Sequence, residues 1–321
     1  MVSGNKTTHY KHLNDIFHMK QALIGIIFAL FTSLASVQAQ TAIKQNMFDD
    51  IKPNDKVAII AVHNGTTNAG ARNKVLEKIN LALRKAFPAY SFHEAWTSRT
   101  IIRQVNANGD YIQTPTQLLN ELDKQGFTHI LIQPTFVTDG IEMQNLRHET
   151  QTFKERFKHI RLGEPLLTSA KDYELALLAT AAAYGKEKIG NIIIFQNTES
   201  ELNPAFTMAD YTLRKMEMSN WYVCTSNGVP TSTDLVRELK SNKEKKVGII
   251  PFIFPEGNIQ VDNITEQAKS EIQKSGIKVN NISDNIAEAD EIIDIFVNHA
   301  KHASQYRTLT PTEQKYIEAA Q

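Results

Sequence analysis

Cysteine is nearly absent from this chain: Cys224 is the single one among 321 residues. One thiol excludes a disulfide framework and any metal site built on clustered thiolates. Net charge is missing too, because 35 Lys and Arg balance 35 Asp and Glu. Without an excess of cations there is no long-range pull on a phosphate backbone, so no nucleic-acid partner is expected. Nucleotide fingerprints are also absent. No Gly-Lys-Ser/Thr follows a strand-like run and no GxGxxG opens a helix, which excludes a P-loop and a dinucleotide turn. No HExxH, Ser-His-Asp or paired-carboxylate arrangement can be picked out from spacing. What is present is a globular composition, 41% hydrophobic and 22% charged, with length for one large or two ordinary domains.

The apolar run Ala22 to Leu34 follows Met19-Lys20 and closes on Ser36-Val37-Gln38-Ala39-Gln40. A basic start, a short apolar stretch and small residues before a cut have the pattern of a secretory signal peptide. The run falls short of the roughly 20 residues that span a bilayer. We therefore expect a signal peptide over residues 1–39, with Met19 as an alternative start, and an exported, periplasmic protein with no stable membrane span after cleavage. A retained anchor is the alternative. No Cys stands near the cut, which argues against a lipid-modified N-terminus.

Downstream, strand and helix signals alternate. Lys56–Val62 is a continuous apolar run, as in a strand buried on both faces. Further strands are expected at Ser91–Trp96, His129–Gln133, Ile192–Phe195, Trp221–Thr225, Val247–Phe254 and Ile277–Asn281. Helical patterns run through Val75–Phe87, Pro115–Gln125, Ile141–Phe157, Tyr173–Tyr184, Pro204–Met218, Thr233–Asn242, Thr265–Lys274 and Ala287–His302. Strands separated by helices imply parallel sheets. Tyr184-Gly185-Lys186 marks a seam, giving two similar α/β halves, 40–186 and 187–321, each a parallel sheet of about four strands flanked by helices, with a cleft between them. Ligands in such sheets sit beyond the carboxyl ends of the strands.

The candidate site residues follow from that rule. Asn64-Gly65-Thr66-Thr67 follows the first strand and opens a helix whose N-terminus favours an anionic group; a capped turn is the equal alternative. Trp96-Thr97-Ser98-Arg99 ends the second strand, where an indole could pack on a flat conjugated ligand and Arg99 could pair with its carboxylates; a half-buried Trp beside a capping Ser is the alternative. Among ten histidines, His63 and His93 sit at strand ends and are the candidate metal ligands. His299 and His302 share a helix but lack a third ligand, and His148 and His159 fall in a charged helical stretch. Cys224 lies in a strand pattern and reads as a small core residue.

Several stretches together resemble the anaerobic class II cobalt chelatases, the CbiK family of sirohydrochlorin cobaltochelatases. They are Val62–Thr67 with Arg72, Phe87-Pro88, Ala95–Arg99, Gln133-Pro134, Gly163–Leu167 and Ile295–His299. The resemblance implies two α/β halves around a tetrapyrrole cleft and insertion of a divalent metal such as Co²⁺ or Fe²⁺. Insertion requires two pyrrole N–H protons to leave, which suits neutral imidazole. Here the family's catalytic positions depart from its pattern. Gln196 stands where the Gly-His-Gly-Thr turn has His, Asn227 replaces a Glu, Ile259 replaces a second His, and Phe136 occupies a further His position. No histidine occurs between His159 and His299, so no shift of alignment restores the pair. Gln and Asn do not titrate in this range, and Ile is no ligand.

The expectation is an exported chelatase-like protein that binds a tetrapyrrole, haem or another metallated macrocycle, with insertion impaired or absent, and with His63 or His93 as axial ligand. An active cobaltochelatase of cobalamin-type biosynthesis using a relocated His is the first alternative. A module for an unrelated small ligand is the second. Self-association is left open.

Overall fold

In a computed structural model of the chain, residues 42–196, 204–225, 228–252, 259–282 and 289–308 are described. The elements begin with β1 (Ala42–Lys44) and β2 (Val57–His63). A composite helix α1 follows, in which a first turn, Ala69–Ala71, passes through a π-helical stretch, Arg72–Leu76, into Glu77–Ala86. Next come β3 (Ser91–Trp96), α2 (Arg99–Ala107), α3 (Pro115–Lys124), β4 (His129–Pro134), α4 (Ile141–Thr152), β5 (His159–Leu162) and α5 (Ala170–Tyr184). The second half contains β6 (Gly190–Phe195), α6 (Pro204–Lys215), β7 (Trp221–Thr225), α7 (Ser232–Ser241), β8 (Lys246–Phe252), α8 (Ile259–Lys274) and β9 (Lys278–Ile282). Helix α9 (Asp290–Gln305) and strand β10 (Tyr306–Thr308) close the described chain.

The chain divides into two compact units. The smaller one contains an antiparallel pair, β1 with β10, in which Ala42 faces Thr308. The larger one, residues 46–305, holds two parallel sheets of four strands, ordered β3-β2-β4-β5 and β7-β6-β8-β9. The two orders are the same when each half is counted from its own first strand, so the similarity of the halves extends to topology.

Burial explains the sequence pattern. The inner strands β2, β4 and β6 are buried at every residue, which is why each reads as a mostly apolar run with few polar residues. Alternate residues feed different cores. Ile59, Ala61 and Leu131 from the first sheet join Ile193, Phe195 and Phe252 from the second in one inner core, closed by helices α1, α2, α5, α6 and α9. The outer face of the first sheet is covered by α3 and α4 through Leu118, Leu122, Met143 and Leu146. The outer face of the second is covered by α7 and α8 through Leu235, Leu239 and Ile272. Cys224 is buried in this last core, and burial pushes its thiol up to about 12.

Besides the short strands β1 and β10, which the sequence reading did not include, three features differ from it. The helix expected over 141–157 ends at Thr152, and His159–Leu162 is an edge strand, so His159 is not in a helical stretch. Its four residues are all half-buried and include Arg161, too short and mixed a segment to give a period. Helix α2 after Trp96 was not expected; Ser98 caps it by accepting from the Ile101 N–H. Helix α9 also packs across against α1, α5, β4 and β5 of the first half. Residues 1–41, which carry the expected signal peptide, lie outside the described residues. Among the described residues no helix is long and apolar enough to cross a membrane.

Candidate functional site

The turns after β2 and β3 are stitched together at the carboxyl end of the first sheet. Thr97 N–H donates to the His63 carbonyl at 2.9 Å, and Ser98 N–H to that of Asn64 at 3.1 Å. The Thr97 hydroxyl donates to Asn64 Oδ1 at 3.3 Å. Thr66 is buried and accepts from Asn68 N–H, while Asn68 caps α1 by accepting from Ala71 N–H. The expectation that Trp96 packs on a ligand does not hold: its side chain is 0% exposed. Its indole N–H donates to Glu94 Oε1 at 2.5 Å, and its ring lies directly beneath Gly65. Trp96 is the floor of the turn rather than its face. The Arg72 guanidinium sits 5.0 Å over that ring and pairs with Asp110. Thr67 and Arg99 are exposed, with Asn64, Thr97 and Ser98 half-buried beside them. These side chains form the accessible rim.

His63 is committed elsewhere. It is fully buried on the inner face of β2. Asn80 of α1 donates its amide hydrogen to Glu94 Oε2 at 2.9 Å, which turns its oxygen toward His63 Nε2 at 3.0 Å. Nε2 therefore carries the hydrogen, and Nδ1 accepts from the Thr135 hydroxyl at 2.8 Å. Neither nitrogen is open to a metal or a haem iron. Burial pushes the His63 pKa below 6.5, opposed by the Glu94 carboxylate. Its stabilising contribution is thus present above the unfolded value of 6.5 and is lost as pH falls through the lowered folded value. We expect the thermal midpoint to fall as pH drops below about 6.5, and to fall less steeply in His63→Gln, which does not titrate there. Equal slopes in the two proteins would contradict the neutral, buried assignment.

His93 lies on the opposite face of the sheet, level with Ile60 and well before the strand end. Its ring meets Phe127 edge-on, Nε2 has no hydrogen-bond partner among the described residues, and burial lowers its pKa against the raising effect of Glu121. It does not reach the rim.

A second junction joins three of the resembling stretches. Gln133 donates its amide hydrogens to the carbonyls of Glu164 (2.9 Å) and Pro134 (2.7 Å). A Cβ on Gly163 would stand 2.0 Å from Gln133 Oε1, so only glycine lets the chain pass. His299 of α9 sets Nδ1 at 3.1 Å from the Glu164 carbonyl and Nε2 at 3.1 Å from Asp172 Oδ1. Asp172 also completes the capping box of α5 with Ser169. Burial raises the Asp172 pKa, but the His299 contacts and the Ser169 hydrogen bonds outweigh it and hold the carboxyl below 3.8. The Gln-Pro, Gly-Glu-Pro and Asn-His stretches are therefore architecture that pins α9 to the first sheet. No third ligand joins His299 and His302 among the described residues.

In the second half, Gln196 is half-buried and directly follows β6. Asn227 lies outside the described residues, as do the segments 197–203, 253–258 and 283–288 that follow the strands. Ile259 opens α8, and its side chain is likewise outside the described set. In the first half Phe136 is buried in the outer core. One group that sequence reasoning missed is Asp50, His129 and His159, whose ligand atoms lie within 4.8 Å of one another at the amino ends of β4 and β5. The signal was a His at the start of each run, hidden because β5 went unread.

Two like-ordered parallel sheets sharing an inner core are a fold this chain has in common with solved chelatases. SirB from Bacillus subtilis with Fe³⁺ aligns with a TM-score of 0.54 at 15% identity, covering 78% of this chain and 96% of that one. SirB from Bacillus subtilis subspecies spizizenii in complex with cobalt gives 0.51 at 13% identity, over 78% and 95%. By sequence, the sirohydrochlorin cobaltochelatase of Salmonella typhimurium is 32% identical over 119 residues, 37% of this chain and 45% of that enzyme. The alignment thus spans less than half of the Salmonella protein. The sirohydrochlorin cobaltochelatase CbiKC of Nitratidesulfovibrio vulgaris is 22% identical over 265 residues, 78% of this chain and 93% of that enzyme. Residues 57–305 match the cobalt chelatase (CbiK) family, and the chain belongs to that family.

Proposed function

We propose that this protein is an exported member of the CbiK family that binds a tetrapyrrole, haem or a related macrocycle, at the carboxyl ends of its strands and does not insert metal. The observation that carries this reading is the empty span of sequence between His159 and His299, in which no imidazole occurs and Gln196 holds the place of the family's His. An amide neither takes up the pyrrole protons nor holds Co²⁺ or Fe²⁺ well, so the chemistry of insertion lacks its base. The rim supports binding. Arg99 is exposed and its guanidinium has no partner among the described residues, and Thr67 and Asn64 stand in the adjoining turn. A guanidinium and hydroxyls suit the propionate or acetate carboxylates of a macrocycle. An active enzyme relying on His63 is disfavoured by its burial and its two hydrogen bonds, and one relying on His93 by its mid-strand place on the opposite face of the sheet. Axial ligation by either residue is disfavoured on the same respective grounds.

The test is an absorption titration of the purified protein with haem and, separately, with sirohydrochlorin. A saturable band shift is expected, and Arg99→Ala should weaken it by about 10-fold, the value of a charge-assisted hydrogen bond. No spectral change with either macrocycle at micromolar protein would overturn the proposal.

A further inference from the structure

The amino end of the first sheet carries a group of side chains that the tetrapyrrole reading does not use. His129 and His159 open β4 and β5 and are register partners on these parallel strands, so their side chains share one face. The ring centroids are 5.0 Å apart. Asp50, from the turn that precedes β2, sets its carboxylate against both. Oδ1 is 3.0 Å from His159 Nε2 and 3.3 Å from His129 Nε2, and Oδ2 is 3.1 Å from His159 Nε2.

Two imidazoles converge on this one carboxylate, and the side chain of His129 is fully buried with its other nitrogen held in place. Its Nδ1 lies 2.8 Å from the Thr128 hydroxyl oxygen, and that hydroxyl is 3.2 Å from the Lys56 carbonyl. The Thr128 contact fixes the ring so that Nε2 faces the Asp50 carboxylate. Orientation of one imidazole nitrogen through a hydrogen bond from the other is how ligating histidines are generally held.

We infer that Asp50, His129 and His159 form a binding site for a divalent first-row transition-metal ion of the Zn²⁺ or Co²⁺ kind. Two imidazole nitrogens and one carboxylate oxygen are donors such ions prefer, whereas Mg²⁺ and Ca²⁺ seek oxygen throughout. Bonds of about 2.0–2.2 Å place neighbouring donor atoms roughly 3 Å apart, a spacing the Asp50–His159 pair already has. His129 closes in from slightly farther. The Asp50 side chain is 59% exposed, which leaves water access to the remaining coordination positions. The site is at the opposite ends of the strands from Asn64 and Arg99, and the inference does not depend on tetrapyrrole binding.

Metal-free protein should be titrated with Zn²⁺ by calorimetry and with Co²⁺ by visible absorption. One ion per chain is expected, with ligand-field bands for Co²⁺. Asp50→Asn and His159→Asn should each weaken Zn²⁺ affinity by at least about 10-fold while leaving the haem titration unchanged. Asp50 is an exposed turn residue, so its variant tests the site even if a histidine variant folds poorly. No stoichiometric binding by the wild type, or wild-type Zn²⁺ affinity retained in both variants, would overturn the inference.

Discussion

Gly65→Ala is expected to destabilise the protein by about 3 kcal/mol, which for a unit of this size lowers the thermal midpoint by roughly 10 °C. Two causes add. Gly65 has a φ of 100°, where an L side chain is strained. A Cβ there would also stand 2.6 Å from Trp96 Cε3 and 2.9 Å from Cδ2. The ring has nowhere to go, because Trp96 is fully buried with its N–H on Glu94 and the Arg72 guanidinium above it. Gly109 separates the causes. Its φ is 99°, yet an added Cβ would meet nothing within 4 Å. Gly109→Ala should therefore show the backbone strain alone, about 1–2 kcal/mol. Urea unfolding of both variants checks the difference. Equal losses would mean that Trp96 moves aside freely and does not support the turn. Because Trp96 also shapes the rim, Gly65→Ala should weaken haem binding where Gly109→Ala does not.

Asp172→Ala should have an effect of similar size, about 4 kcal/mol, because it leaves His299 without its acidic partner in a nearly closed junction. The two side chains are 12% and 14% exposed. The same substitution removes the capping box of α5, and Ser169→Ala should isolate that share at about 1 kcal/mol. The pH dependence gives a second handle. The carboxyl is held below its ordinary 3.8 in the fold, so its contribution is present above that value and is lost as pH falls through the lowered folded value. The acid limb of the stability curve below about pH 4 should flatten in Asp172→Asn. A loss under about 1 kcal/mol in Asp172→Ala would mean that solvent screens the pair and that α9 is held by its apolar face alone.

The parts of the fold legible in the sequence were those that a buried position forces into a single residue type. Val57–His63 and Gly190–Phe195 are inner strands covered on both faces, so each holds an apolar run, Val57 to Val62 and Ile192 to Phe195. His159–Leu162 is an edge strand, and nothing in four half-buried residues distinguishes it from the end of the preceding helix. That one omission hid the Asp50, His129 and His159 group, since the two imidazoles become neighbours only through the pairing of β4 with β5. The candidate site was legible as a place, not as a set of roles. Trp96 and Arg99 do stand at a strand end, but Trp96 faces inward beneath Gly65 while Arg99 faces solvent. A clue lay in the alternation of Glu94 and Trp96, which puts both on one face and supplies the indole with an acceptor. His63 was read as a ligand because a strand-end imidazole looks available; Asn80 and Thr135, distant in sequence, claim both of its nitrogens.

The central claim is that the macrocycle is held without being metallated. Its most direct test is the initial rate at which Co²⁺ enters sirohydrochlorin, measured with the purified protein at a concentration that saturates the absorption titration. The account predicts a rate no greater than that of the same mixture without protein. A rate that rises in proportion to protein concentration would contradict it and would mean that a base other than the family's imidazole serves the reaction.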